Sequence, residues 1–168
     1  MDRKEVNMIS AFRIDERLIH GQVIATWLKT LGVSHLLVAS DEIANDALRQ
    51  DTLKMVLPQN LKCLIKGTND IINILKDPRC QKMKILLIVG SPQDAVKLVE
   101  EIPEISEVNL ANYGSITKPN IKDKVSISKM VYLDEDDIKS VNKIIELEKT
   151  VFTQKTPSDL KKNINVIV

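Results

Sequence analysis

Arg13, Arg17 and His20 carry the chemistry that can be read in this chain. They lie in Phe12-Arg13-Ile14-Asp15-Glu16-Arg17-Leu18-Ile19-His20-Gly21-Gln22-Val23-Ile24-Ala25. There an apolar strand-like run ends in a polar cluster, passes one histidine and one glycine, and opens into a helical pattern. The arginines precede the histidine by seven and three residues. A neutral imidazole, with an ordinary pKa of about 6.5, is a nucleophile near neutral pH. A guanidinium forks onto phosphoryl oxygens. Backbone N–H groups at a helix start are unpaired and favour anions, so Gly21 and Gln22 join the arginines as candidate phosphate-binding residues. Asp15 has two open roles, orienting the ring or holding an arginine. The chemistry these residues point to is a covalent phosphoryl carrier with His20 as nucleophile.

The bland alternative is concrete. A lone loop histidine is more often a polar surface residue, and a charged cluster is more often a set of surface ion pairs of small worth. The dense combination of residue types in one loop favours the carrier. Neither GxGxxG nor GxxxxGK[ST] occurs, so nucleotide binding has no support. His35, the other histidine, starts an apolar strand and reads as structural. Trp27 falls on the apolar face of the first helix, as core or as an edge of the site.

The elements that must position these groups alternate along the chain. Strands are expected at Met8–Ile14, His35–Ala39, Lys62–Lys66, Lys84–Val89, Glu107–Leu110, Lys129–Leu133 and Thr150–Gln154. Helices are expected at Gly21–Leu31 (closed by Gly32), at Ala44–Val56 (stopped by Pro58) and from a Thr68 cap to Leu75. A further helix runs from Ser91-Pro92 to near Pro103, and another follows Asp134–Asp137 with Ile138, Val141, Ile144 and Ile145 as its apolar face. Ala111–Lys124 reads as loop and Pro157–Lys162 as a last helical turn or two. The fold class is α/β: a single-domain, open, mostly parallel β-sheet with helices on both faces. Ligands in such sheets bind at the carboxyl ends of the strands. The loops at Asp15–Gly21, Gly90–Asp94 and Leu110–Tyr113 should therefore converge, with Ser91, Asn109 and Asn112 as candidate site-lining residues.

Composition narrows the partners. At 168 residues the chain holds one well-packed domain. Lys plus Arg is 24 against 23 Asp plus Glu, a formal charge of +1, which gives no electrostatic reason to expect nucleic acid or an anionic membrane. Aromatics are 3%, so the core must be mostly Ile, Leu and Val. Cys63 and Cys80 sit in no CxxC or metal-ligand spacing and read as buried thiols of a reducing compartment. The polar N-terminus is no secretory signal, and no apolar run is long enough to span a bilayer. Met8 is an alternative start, which would leave residues 1–7 a frayed extension and 8–168 the domain.

Arg13-Ile-Asp-Glu-Arg-Leu-Ile-His-Gly-Gln-Val23, followed by Trp27, closely resembles the active-site segment of enzyme IIB of the mannose/fructose/sorbose family of the bacterial phosphoenolpyruvate-dependent sugar phosphotransferase system. Glu16 stands where Asp is commoner. Asp41–Asp46 with Arg49 and Pro58, Val108-Asn109, Ile127–Leu133 with Asp136-Asp137, and Thr153–Pro157 resemble later parts of the family pattern. The resemblance departs at Leu110-Ala-Asn-Tyr-Gly114, where the family often has a glycine pair and a methionine. Membership implies a phosphoryl group received from a phosphohistidine on a IIA protein. It implies storage on His20 and delivery to a sugar moved by membrane IIC and IID subunits, with no metal or nucleotide cofactor. It also implies a cytoplasmic location beside the permease, no insertion in the bilayer and brief docking encounters; 168 residues leave no room for a IIA domain, so IIA is expected on a separate chain. A regulatory module that only reports its phosphorylation state is the non-catalytic alternative. A histidine phosphatase is disfavoured because Ile19, not arginine, precedes His20.

Overall fold

In the computed structural model, residues 8–116, 120–165 and 167 are described, without the side chains of Gln22, Val23 and Ile121. Residues 1–7, the expected extension, lie outside the described residues. The elements run β1 (Ile9–Asp15), α1 (Gly21–Leu31), β2 (His35–Ala39), α2 (Asp41–Ala44), α3 (Ala47–Lys54), β3 (Lys62–Lys66), α4 (Thr68–Leu75), β4 (Ile85–Val89) and α5 (Pro92–Glu101). They continue with β5 (Glu107–Asn112), β6 (Val125–Ser128), β7 (Val131–Leu133), α6 (Glu135–Glu146), β8 (Thr150–Thr153) and β9 (Lys162–Ile164). The main sheet has the order β3-β2-β4-β1-β5-β8-β9. Its pairs are parallel, except that β9 lies antiparallel to β8.

Alternation along β4 shows how both faces are filled. Ile85, Leu87 and Val89 enter one cluster with Ile71, Leu75, Ala95, Leu98, Val141 and Ile144 of α4, α5 and α6. Leu86 and Ile88 enter the other, with Ile24, Trp27 and Leu28 of α1. A strand covered on both sides carries an unbroken apolar run, and all five residues of β4 are buried. The open parallel sheet with helices on both faces is thus the architecture found.

Local chemistry sets the helix ends. Gly32 closes α1 in the left-handed region (φ 59). Ser91 caps α5 with Pro92 in its first turn, and Asp134 caps α6 in a reciprocal box with Asp137. Four expectations fail for equally local reasons. Ala44–Val56 is not one helix, because Ser40 caps α2 and Asp46 caps α3, with Asn45 between them. Thr68 does not cap α4; it is the first helical residue, and its N–H donates to Asp41 Oδ1 at 2.8 Å. Lys129–Leu133 is not a strand of the main sheet; Val131–Leu133 pairs with β6 in a separate hairpin. Pro157–Lys162 is not helical: the Asp159 carboxylate takes Thr156 N–H and Oγ at 2.8 Å each, closing a turn that leads into β9.

Both cysteines are free thiols; Cys80 is buried and Cys63 half-buried. Burial pushes the Cys63 thiol up to about 11, against a smaller opposing pull from Lys54. Its thiolate fraction at pH 8 is then about 10²-fold below that of an ordinary cysteine. Alkylation of Cys63 by iodoacetamide, read by peptide mass, should be slower by that factor in the folded protein, with the ordinary rate returning in denaturant.

Candidate active site

The three expected loops meet at the carboxyl edge of β4, β1 and β5. Glu16 N–H donates to Asn112 O at 2.9 Å, which joins the first loop to the last. A Cβ added to Gly90 would lie 3.6 Å from Leu18, which joins the first to the middle one. His35 starts β2 at the opposite edge, its Nδ1 2.7 Å from Ser34 Oγ.

The turn that delivers His20 is built by Asp15. Its carboxylate Oδ1 accepts Arg17 N–H at 3.0 Å, and its carbonyl accepts Leu18 N–H at 2.9 Å. The turn forces Leu18 into the left-handed region (φ 57), a costly place for a residue with a Cβ. Leu18 and Ile19 are both buried and plug the cluster beneath α1, which offsets that strain. His20 then occupies the cap position of α1, and Gly21 follows with φ 45. A Cβ at Gly21 would meet open space, so glycine serves the backbone conformation rather than a tight contact. The first-turn N–H groups of Gly21 and Gln22 belong to the unpaired set at a helix start; the Gln22 side chain lies outside the described residues.

Behind the histidine stands a buried charge pair. His20 Nε2 lies 2.8 Å from Asp15 Oδ2, with the ring 18% exposed and Asp15 fully buried. A carboxylate only accepts, so Nε2 is the protonated nitrogen. Nδ1 has no partner among the described residues. Arg13, 1% exposed, places Nη2 3.4 Å from the same Asp15 oxygen. Its Nη1 lies 3.4 Å from Gln154 O and 3.5 Å from Lys155 O, its Cζ sits 5.0 Å from the Trp27 ring centre, and its Nε has no partner. Burial lowers the guanidinium's pKa, and Asp15 opposes that pull. Asp15 thus contacts both the ring and an arginine, the two partners its open roles require.

Arg13, expected beside the phosphate, has its fork turned to the Gln154 and Lys155 carbonyls and to Asp15. Arg17 is the exposed cation, and its guanidinium has no partner among the described residues. Ser91 spends its hydroxyl on Asp94, accepting its N–H at 3.2 Å and donating to its carboxylate at 3.1 Å. Asn109 lies one layer down, clamping the Gln154 backbone at 2.9 and 3.0 Å. Asn112 is 5% exposed at the end of β5. Trp27, read from the sequence as core or as an edge of the site, takes the second place, and Glu16 is a contributor whose contacts the sequence did not show. Trp27 holds Lys155 O at 2.9 Å and roofs Arg13. Glu16 takes Gly114 N–H and Ile116 N–H at 3.0 Å each, and the Ser115 N–H and hydroxyl at 3.2 Å each. The tryptophan at helical spacing from the histidine is the one signal that pointed to either.

Among the described residues no helix is long and apolar enough to cross a membrane. Residues 9–168 match the family described as the PTS system sorbose subfamily IIB component. A probable phosphotransferase enzyme IIB component of Streptococcus pyogenes serotype M6 is 36% identical over 162 residues, covering 96% of this chain and 99% of that protein. The mannose-specific EIIAB component of Escherichia coli K12 is 32% identical over 152 residues; the match covers 88% of this chain and 46% of that longer protein. The N-acetylgalactosamine-specific IIB component 1 of Escherichia coli superposes with a TM-score of 0.81 at 32% identity, covering 94% and 99% of the two chains. The IIBSor domain of the Klebsiella pneumoniae sorbose permease shares the fold, with a TM-score of 0.83 at 24% identity over 92% of each chain. Sequence, fold and the histidine turn agree: the chain belongs to the sorbose-type family of phosphotransferase-system IIB components.

Proposed function

We propose that His20 is the phosphoryl carrier of a sugar uptake system. It takes the group from a phosphohistidine on a IIA protein and passes it to the sugar translocated by membrane IIC and IID subunits. The chain acts at the cytoplasmic face, docked to the permease without entering the bilayer. The reading rests on one observation: Asp15 pins Nε2 of His20 at 2.8 Å and leaves Nδ1 with its lone pair and no partner among the described residues.

In the first transfer the Nδ1 lone pair forms the new N–P bond while the donor's N–P bond breaks, its electron pair returning to the donor ring. The phosphorylated imidazolium keeps its Nε2 proton against Asp15, whose charge stabilises it. In the second transfer a sugar hydroxyl oxygen bonds to phosphorus, and the His20 N–P electrons return to Nδ1. The hydroxyl proton goes to solvent or to a base of the sugar site. Arg17 and the N–H groups of Gly21 and Gln22 meet the phosphoryl oxygens. An N–P bond is already activated, so neither step calls for a metal or a nucleotide.

The test is intact mass after mixing the protein with phosphoenolpyruvate, the general phosphotransfer proteins and a cognate IIA. One acid-labile phosphoryl group is expected, with phosphorus coupling on Nδ1 in ¹⁵N spectra. A protein left unmodified beside charged IIA sinks the reading, and coupling on Nε2 sinks the nitrogen assignment.

A further inference from the structure

Asn112 and Asp15 are register partners at the carboxyl ends of β5 and β1. The register slips just before them: Ile14 faces Leu110, but Asp15 faces Asn112, so Ala111 is the extra residue of a bulge. Strict alternation would have turned Asn112 away from Asp15. The bulge instead brings it to the face that carries Asp15 and returns Tyr113 to the opposite core, 3% exposed, with its hydroxyl on Asp137 at 3.0 Å. The Asn112 backbone carbonyl is taken by Glu16 N–H. Its side-chain amide has no hydrogen-bond partner among the described residues, although the residue is only 5% exposed. Arg13 Nε is the one described side-chain polar atom buried without a partner, so the Asn112 amide reaches the surface at this edge, where a ligand oxygen can meet it.

Asn112 occupies part of the segment where the resembling family often carries a glycine pair. A glycine at this position would offer no side-chain donor. We propose that Asn112 is a catalytic residue of the transfer, its Nδ2 donating a hydrogen bond to a non-bridging phosphoryl oxygen as the group arrives at and leaves His20. The proposal rests on His20 being the carrier. Asn112 makes and breaks no covalent bond and keeps both amide protons. As a neutral donor it stabilises oxygen charge without holding the product as a second cation would.

The experiment uses phosphoramidate, a small phosphoryl donor to imidazoles, so that no partner protein is needed. Phosphorylation of the wild type, Asn112→Ala, Asn112→Asp and Asn112→Ser is followed by intact mass, and the phosphoryl ionisation by ³¹P titration. Asn112→Ala should slow uptake by roughly 10²-fold and raise the pKa of the bound phosphoryl group. Asn112→Asp should be slower again and raise that pKa further, because a carboxylate then faces the phosphoryl charge. Asn112→Ser, which keeps a donor, should recover part of the rate. Equal rates and an unmoved ³¹P titration in all variants overturn the proposal while leaving His20 as carrier. So does a slowed Asn112→Ala with an unmoved titration, which would make the residue a support for Asp15. Loss of phosphoryl uptake by the wild type itself removes both readings. Thermal melts of each variant separate a lost contact from a lost fold.

Discussion

His20→Ala takes up no phosphoryl group under conditions in which the wild type gains one, and it stays folded. His20 has the only histidine ring in the site; His35 sits at the other edge of the sheet. The His20 ring is 18% exposed, and its one described hydrogen bond is to Asp15. Removing it leaves Asp15 still bound to Arg13 and to Arg17 N–H. The loss of one hydrogen bond costs about 1 kcal/mol. Intact mass under charging by IIA and a urea melt check both halves. A labelled, well-folded variant would move the carrier to His35 and sink the assignment.

Asp15→Asn has the next largest effect, and it acts twice. An amide placed against Nε2 can present either its oxygen or its N–H. The second choice drives the ring proton to Nδ1 and removes the attacking lone pair. The compensating charge for the phosphorylated ring is lost in either case, so transfer should fall by roughly 10²–10⁴-fold. The same change leaves the Arg13 guanidinium buried with no counter-ion. Breaking one side of a buried pair costs about 3–5 kcal/mol, a large share of the stability of a domain this size. The stability effect is separable from the catalytic one. Asp15→Asn with Arg13→Met removes the orphaned charge, and the double variant should be more stable than Asp15→Asn alone while remaining slow in transfer. If the two changes simply add, the pair is not coupled in the way its geometry implies.

The layout of the site was legible because its signals are local. Gly32 after an amphipathic run fixed the span of α1, and Ser91-Pro92 fixed the start of α5. The unbroken apolar stretch at β4 implied a sheet covered on both sides. Errors arose where a local cap overrides periodicity, as at Asp46 in the middle of an apparent helix. They also arose where a short polar strand has only a sheet edge to define it, as at β9. The site was half legible for a related reason. His20 and Arg17 stand on the surface of one turn and announce themselves. Arg13 read as a second phosphate-binding cation beside Arg17. Its burial depends on Trp27 in α1 and on carbonyls of residues 154 and 155, which no spacing within the first loop can reveal. The re-aiming of Asn112 depends on a one-residue slip between β1 and β5, and register is a property of the pair rather than of either strand.

The Glu16 carboxylate gathers three consecutive N–H groups and a hydroxyl from Gly114–Ile116. Its own N–H is tied to Asn112. The turn bearing the histidine and the loop facing it are therefore cross-linked and behave as one piece. A protein arriving at this edge meets a mould already set, with little chain entropy left to lose on contact. Complexes formed without a folding step can assemble quickly and, with a small contact area, come apart quickly. In the proposed relay, which meets one protein to be loaded and another to be emptied, speed of parting matters as much as fit, and an edge set in advance by Glu16 leaves little rearrangement to undo.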